Sequence, residues 1–156
     1  MNATPRLLES DCFQALLGGH DELVDTLGDV ATLADNLLLD ASNRELMDRV
    51  YESFAHVADD VAKHIEDEER GIFPALQASG VSHDMIQLLE RDHSTLRSMI
   101  REMGQLDPTS LRAPRKLAYL VHSFTDFFAW HTEREEELAL VVRRDSSPPR
   151  SSRRSM

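Results

Sequence analysis

Four histidines and two glutamates in this chain stand at spacings suited to holding metal ions: His20, His64, His93 and His131, with Glu68 four positions after His64 and Glu135 four after His131. A step of four turns an α-helix by only about 40°, so each glutamate shares its histidine's face, one turn further on. All six fall on apolar stripes, where an ionised carboxylate is costly unless paired or bound to a cation. A lone histidine on such a stripe is usually a hydrogen-bonded core residue. Four of them, one per helix, do not suit that account, and it leaves both glutamates unexplained. The first half of the chain supplies His and then His-x-x-x-Glu, and the second half repeats that order. A doubled half-site predicts two metal ions.

Imidazole suits iron, zinc, copper and nickel, and paired carboxylates can bridge two cations while neutralising their charge. Two histidines per metal and two shared glutamates leave coordination positions open, whereas a structural zinc site is normally closed by four protein ligands. Open positions point to small-molecule chemistry. Iron is the first choice, with manganese and zinc as the alternatives that ligand type alone allows.

The elements that must position these residues are four helices. The first should run over about residues 11–39, with Phe13, Leu16, Leu17, His20, Leu23, Leu27, Val30 and Ala34 along one face. Gly18 and Gly19 interrupt it, at a cost of roughly 1 kcal/mol each relative to alanine, so either the helix is irregular there or something approaches its backbone closely. The second should begin after Ser42, whose spacing to Glu45 makes a capping box, and carry Val50, Phe54, Val57, Val61 and His64 before ending ahead of Gly80. Ser82 can cap the third, whose stripe is Ile86, Leu89, His93, Leu96, Ile100 and Met103, and Asp107-Pro108-Thr109 then breaks the chain. In the fourth, Leu120, Phe124, Phe127, His131, Glu135, Leu138 and Val142 step by alternating four and three, with Pro114 near the first turn. Sparse glycine and proline and no alternating Val, Ile and Thr run complete the case for an all-α fold. Its expected architecture is an up-down-up-down antiparallel four-helix bundle.

Counting residues tests whether the ligands share a level. His20 lies about twenty residues before the first turn and His64 about twenty after it, so at ~1.5 Å per residue their heights match. Glu68 and His93 each lie about ten residues from the second turn. His93 and His131 match only if the last helix starts near Pro114, with 109–113 as loop.

At these residues the chain resembles the hemerythrin-like family of HHE cation-binding domains, most closely around His64-Ile65-Glu66-Asp67-Glu68-Glu69-Arg70-Gly71-Ile72-Phe73-Pro74-Ala75-Leu76 and over roughly residues 16–142. The resemblance implies a four-helix bundle around an oxo- or hydroxo-bridged pair of iron ions that meets dioxygen, nitric oxide or peroxide. Carried over, His20 and His64 bind one iron, His93 and His131 the other, and Glu68 and Glu135 bridge them. Two departures bear on function. Oxygen-carrying members have a second third-helix histidine four positions after the first, where this chain has Arg97, and their last-helix carboxylate comes five positions after its histidine, where this chain has Glu136 as well as Glu135 at four. The four-His, two-Glu set looks more like bacterial members linked to nitric oxide handling and iron–sulfur repair.

The net charge is −11, but residues 143–156 carry five arginines against Asp145, a net +4, which leaves −15 on the rest. Such a body repels nucleic acid and anionic membrane, so neither is an expected partner; a small-molecule ligand and a redox partner protein are. The expected division is a domain over residues 1–142 and a disordered, solubilising Ser/Pro/Arg tail over 143–156. Cys12 alone cannot form an internal disulfide, no apolar run approaches ~20 residues and the N-terminus has no basic stretch before an apolar one, which places the chain in the cytoplasm. Cys12 reads as a small buried hydrophobe. His56, His83 and His122 fall off the site's face or level and read as surface or rim residues, Trp130 as core, and the acidic run 133–137 as a solvated face from which only Glu135 is drawn inward.

Three functions compete. The first is a redox-active di-iron protein that binds or turns over dioxygen, nitric oxide or peroxide, or serves iron-centre repair under nitrosative or oxidative stress. The second is an oxygen or iron sensor, with reversible oxygen storage beside it. The last is a metal-free helical interaction domain.

Overall fold

A computed structural model describes residue 14 and residues 17–145, with side chains through Val141. The expected start of the first helix at residue 11, Cys12, Phe13, Leu16, the Val142 side chain and the tail beyond 145 lie outside the described residues. Among the described residues five α-helices follow one another: α1 (His20–Leu39), α2 (Arg44–Asp67), α3 (Phe73–Ala78), α4 (His83–Gly104) and α5 (Ala113–Asp145). Among the described residues there is no strand, and no helix is long and apolar enough to cross a membrane. A π-helical segment, Glu68–Ile72, joins α2 to α3 with right-handed helical backbone at both junctions, so α2, the π turn and α3 form one rod and the bundle has four. The last helix begins at Ala113, where the matching of His93 and His131 requires it, and runs to Asp145, three residues into the stretch read as tail.

The π turn has a local cause. Pro74 has no N–H for the carbonyl of Arg70, and its ring would crowd that carbonyl in a regular α-helix. The chain widens instead, and the Phe73 N–H donates to the Glu68 carbonyl five residues back.

The termini correct two expectations. The cap of α2 is Asn43, not Ser42: its side-chain oxygen accepts from the Leu46 N–H at 3.0 Å while its amide donates to Asp40 at 3.1 Å. The first helix does not run unbroken through its two glycines. Gly19 sits at φ +80° and ends the preceding turn, so α1 starts at His20; a side chain added at Gly19 would meet nothing within 4 Å, so the need is for left-handed backbone and not for close approach. Ser82 caps α4 as expected, accepting from Met85 N–H at 3.3 Å.

α1 packs on α2 and α5, α4 packs on α5, and α2 touches both α4 and α5. Their buried faces make two apolar clusters. The larger includes Leu27, Phe54, Val61, Leu96, Phe124 and Phe128; the smaller holds Phe73, Leu76, Val81, Ile86, Leu89, Leu138 and Ala139. In α5 the fully buried aromatic beside the site is Phe128, while Phe127, on the expected stripe, is only partly buried. Along every rod a polar stretch separates the clusters: Leu17 and Leu27 flank His20, Ile65 and Phe73 flank Glu68, Leu89 and Leu96 flank Asp92 and His93, and Phe128 and Leu138 flank His131 and Glu135. One polar layer crosses the core.

Two glycines of this region should respond to alanine with opposite signs. Gly19→Ala forces a side chain into left-handed backbone and should cost about 1–2 kcal/mol, a fall in Tm of a few degrees at this chain length. Gly28, exposed inside α1 with nothing within 4 Å of an added Cβ, should gain roughly 0.5–1 kcal/mol on the same change. Thermal melts of the two variants check both; a stabilised Gly19→Ala would contradict the cap.

Candidate metal centre

The polar layer is built from the ends of helical stripes. His20 opens α1, His64 lies in the last turn of α2, Glu68 opens the π turn, His93 is midway along α4, and His131 and Glu135 lie one turn apart in α5. Five of the six are at most 1% exposed; His64 keeps 16% of its side chain in solvent. All four imidazoles turn Nε2 into the same small space. His20 and His64 meet there at 2.9 Å, and His93 and His131 at 3.1 Å.

The carboxylates lie between these pairs. Glu68 Oε1 is 2.6 Å from His64 Nε2 and 3.5 Å from His20 Nε2, while its Oε2 is 3.2 Å from His93 Nε2. Glu135 Oε2 is 3.1 Å from His20 Nε2, and its Oε1 is 2.6 Å from His131 Nε2 and 3.8 Å from His93 Nε2. Each glutamate thus divides its two oxygens between the two histidine pairs. Two groups of four can each gather around one cation, His20, His64, Glu68 and Glu135 in one and Glu68, His93, His131 and Glu135 in the other, with the donor atoms of each group within 4.8 Å of one another. Two nitrogens bound to one ion at about 2.1 Å and near a right angle stand about 3 Å apart, which is the spacing within each pair.

The polar bookkeeping fits a cation. None of these approaches to the carboxylates has the alignment of a hydrogen bond, so both oxygens of Glu68, both of Glu135 and His20 Nδ1 are buried without a hydrogen-bond partner among the described residues. A buried, unsatisfied carboxylate is costly, and a positive ion between the four oxygens removes that cost. Without metal the layer holds protons instead. Burial pushes His20 down, but the facing Glu135 and Glu68 carboxylates outweigh it and lift the ring to about 9. Burial likewise opposes, and Glu135, Glu68 and Glu69 overcome it at, His93, also raised to about 9. Burial would raise Glu68, yet His20, His64 and His93 hold its carboxyl well below the usual range.

An outer ring of charge surrounds half of the layer. Glu69 Oε1 lies 3.0 Å from His93 Nδ1, and Arg97 grips Glu69 with two nitrogens at 2.9 and 2.7 Å. Asp92, 5% exposed, lies 2.9 Å from His131 Nδ1 and receives Arg134 at 3.3 Å. Glu69, Asp92 and Arg134 were not among the residues singled out from sequence. Asp92 carried a signal, since it falls three after Leu89 and four before Leu96 on the buried stripe of α4. Glu69 carried a similar one, since it falls four after Ile65 and four before Phe73, both buried.

The remaining residues mostly lie where the spacing put them. Glu136 is exposed and Glu135 buried, so the last-helix carboxylate comes four positions after its histidine. His56 is exposed, His122 pairs with Asp35 at 2.8 Å on the rim, and His83, at the start of α4, accepts from the Gln77 amide at 3.0 Å. Trp130 is a correction: it is not core but 46% exposed, packed against Phe127 and lying under the Arg134 guanidinium at 3.8 Å.

A family model described as Hemerythrin HHE cation binding domain matches residues 13–142. No curated protein and no solved structure matches the chain.

The metal-free protein should have a stability that depends on pH from both sides. His20 and His93 titrate near 9 when folded and near 6.5 when unfolded, so their contribution is complete below about 6.5 and fades as pH rises toward 9. Glu68, depressed when folded, contributes above about 4.5 and loses that contribution as pH falls. Melting temperatures of chelator-treated protein should therefore peak between about pH 4.5 and 6.5 and decline toward pH 9. A Tm still climbing from pH 6.5 to 9 would show that the imidazoles are not held protonated by the carboxylates.

Proposed function

We propose, because the chain belongs to the hemerythrin HHE cation binding domain family, that it holds two iron ions and reacts with a small ligand such as nitric oxide, dioxygen or peroxide. The observation that carries the reading is the division of each glutamate's oxygens between the two histidine pairs. A carboxylate serving one ion can bind it through one oxygen or both, but would not need an oxygen set against each pair. In this reading His20 and His64 hold one iron, His93 and His131 the other, and Glu68 and Glu135 bridge them. The four rods then alternate up and down, as short connections and a common ligand level require.

Bound iron would supply one-electron chemistry and an exchangeable coordination position on each ion. What the chain contributes is placement and exclusion. Four Nε2 atoms converge from four rods, and the apolar clusters on both sides keep bulk water from the layer. The part-exposed edge of His64 supports entry of a diatomic from that side. Arg97 occupies the place of the third histidine of oxygen carriers, and its guanidinium is engaged with Glu69. Each iron is therefore assigned two histidines, which favours reaction over reversible storage. A redox partner protein would supply electrons.

Anaerobic reconstitution with ferrous iron, followed by metal analysis and Mössbauer spectra, should give two irons per chain and a higher Tm than the metal-free protein. Less than two equivalents would sink the reading. Glu68→Ala or Glu135→Ala should lose both ions, whereas His20→Ala should mainly lose one; identical titrations for the two classes would remove the bridging assignment.

Reactivity separates reaction from storage. The reduced, iron-loaded protein should bind nitric oxide readily in stopped-flow spectra and be oxidised by air without returning to the ferrous state on deoxygenation. Reversible oxygen uptake over repeated cycles would assign it to storage or transport instead.

A further inference from the structure

The two halves of the centre have the same ligands but different surroundings. His93 and His131 are each fixed at the far nitrogen by a carboxylate, and each carboxylate is fixed in turn by an arginine. His93 is also stacked on Phe73, with ring centres 5.1 Å apart and planes 18° from parallel. Among the described residues the other pair has no such support. His20 Nδ1 is buried with no hydrogen-bond partner, and among the described residues no acceptor lies on Nδ1 of His64, whose ring is partly in solvent.

We propose that Glu69 and Asp92, each clamped by an arginine, are positioning residues that make the His93–His131 half of the centre the tighter metal site and leave the His20–His64 half exchangeable. This rests on the two-metal reading above. A carboxylate that accepts the Nδ1 proton selects the neutral tautomer with its lone pair on Nε2, holds the ring's rotation, and strengthens Nε2 as a donor. The arginine keeps the carboxylate from turning away. Arg97 does so with a two-pronged grip on Glu69, a geometry that lysine cannot reproduce. Arg134 holds both oxygens of Asp92 and is itself seated on the Trp130 ring. The π turn belongs to the same device. One rod there delivers Glu68 into the layer and its neighbour Glu69 to the back of a histidine on another helix.

Loss of an outer carboxylate of this kind typically costs 10–100-fold in metal affinity. Anaerobic titration of the full chain with ferrous iron, followed by calorimetry, should therefore show two one-equivalent steps whose affinities differ by about that factor. Glu69→Gln and Asp92→Asn should each weaken the tighter step at least about tenfold and leave the looser one in place. Arg97→Lys should weaken it less than Glu69→Gln, and His20→Ala should remove the looser step alone. Zinc-loaded protein gives a second readout by nitrogen-detected NMR of the imidazoles. His93 and His131 should show protonated, strongly hydrogen-bonded Nδ1, and Glu69→Gln should alter His93 only.

The outcomes separate the two claims. Less than two equivalents in the unaltered chain overturns the two-metal reading. Two equivalents bound with one affinity, or steps weakened equally by Glu69→Gln, overturn the proposal of unequal halves and leave that reading standing. Because Glu69 is a quarter exposed and its replacement keeps shape, loss of folding cannot stand in for loss of positioning.

Discussion

Two carboxylates with at most 1% exposure, set between four imidazoles, are the constraint around which the molecule is arranged. Carboxylates in a core are tolerated only when cations or hydrogen-bond donors compensate them, and here all four oxygens lack a hydrogen-bond partner among the described residues. Compensation must come from charge within the layer, either protons shared with His20 and His93 or metal ions held in their stead. That requirement explains why the layer crosses all four rods, since no single helix could bring six donors to one point. It also explains the apolar clusters on either side, which exclude the water that would otherwise weaken every interaction between them.

The convergence of the six side chains was legible because helical geometry converts spacing into direction without needing tertiary information. A step of four places Glu68 beneath His64 and Glu135 beneath His131 whatever the rest of the chain does, and residue counts from the turns fix a common level. The same rule separated Glu135 from Glu136 only weakly in sequence, where both are acidic; burial separates them at once. What spacing could not supply was local departure from the α-helix. The π turn at Glu68–Ile72 arises from Pro74, a residue read only as part of a motif.

Smaller misreadings have the same origin. Ser42 and Asn43 are both good caps, and the choice fell to Asn43 because its second side-chain group also binds Asp40, a contact outside the capping-box pattern. Phe127 and Phe128 are adjacent aromatics, and a stripe drawn by alternating steps selects one where the packing buries the other. Trp130 looked like core by size, but its place beside the layer is on the outside, where the ring supports Arg134 and through it Asp92. In each case the deciding partner lies on the neighbouring turn or another rod.

Sequence symmetry and structural symmetry therefore diverge. His and His-x-x-x-Glu occur twice, yet the halves differ because an outer layer is added to one of them alone. Asp92 precedes His93 and serves His131, so its carboxylate crosses from α4 to α5; Glu69 follows Glu68 and serves His93, crossing from the π turn to α4. Each outer contact ties a ligand on one rod to charge carried by another, and every rod except α1 takes part. α1 reaches the layer through His20, begins at the left-handed Gly19, and is held by its packing on α2 and α5 and by the Asp35–His122 pair at the rim. The half of the layer that lacks outer carboxylates among the described residues is thus the half in which one imidazole, His20, stands on a rod that takes no part in those outer contacts.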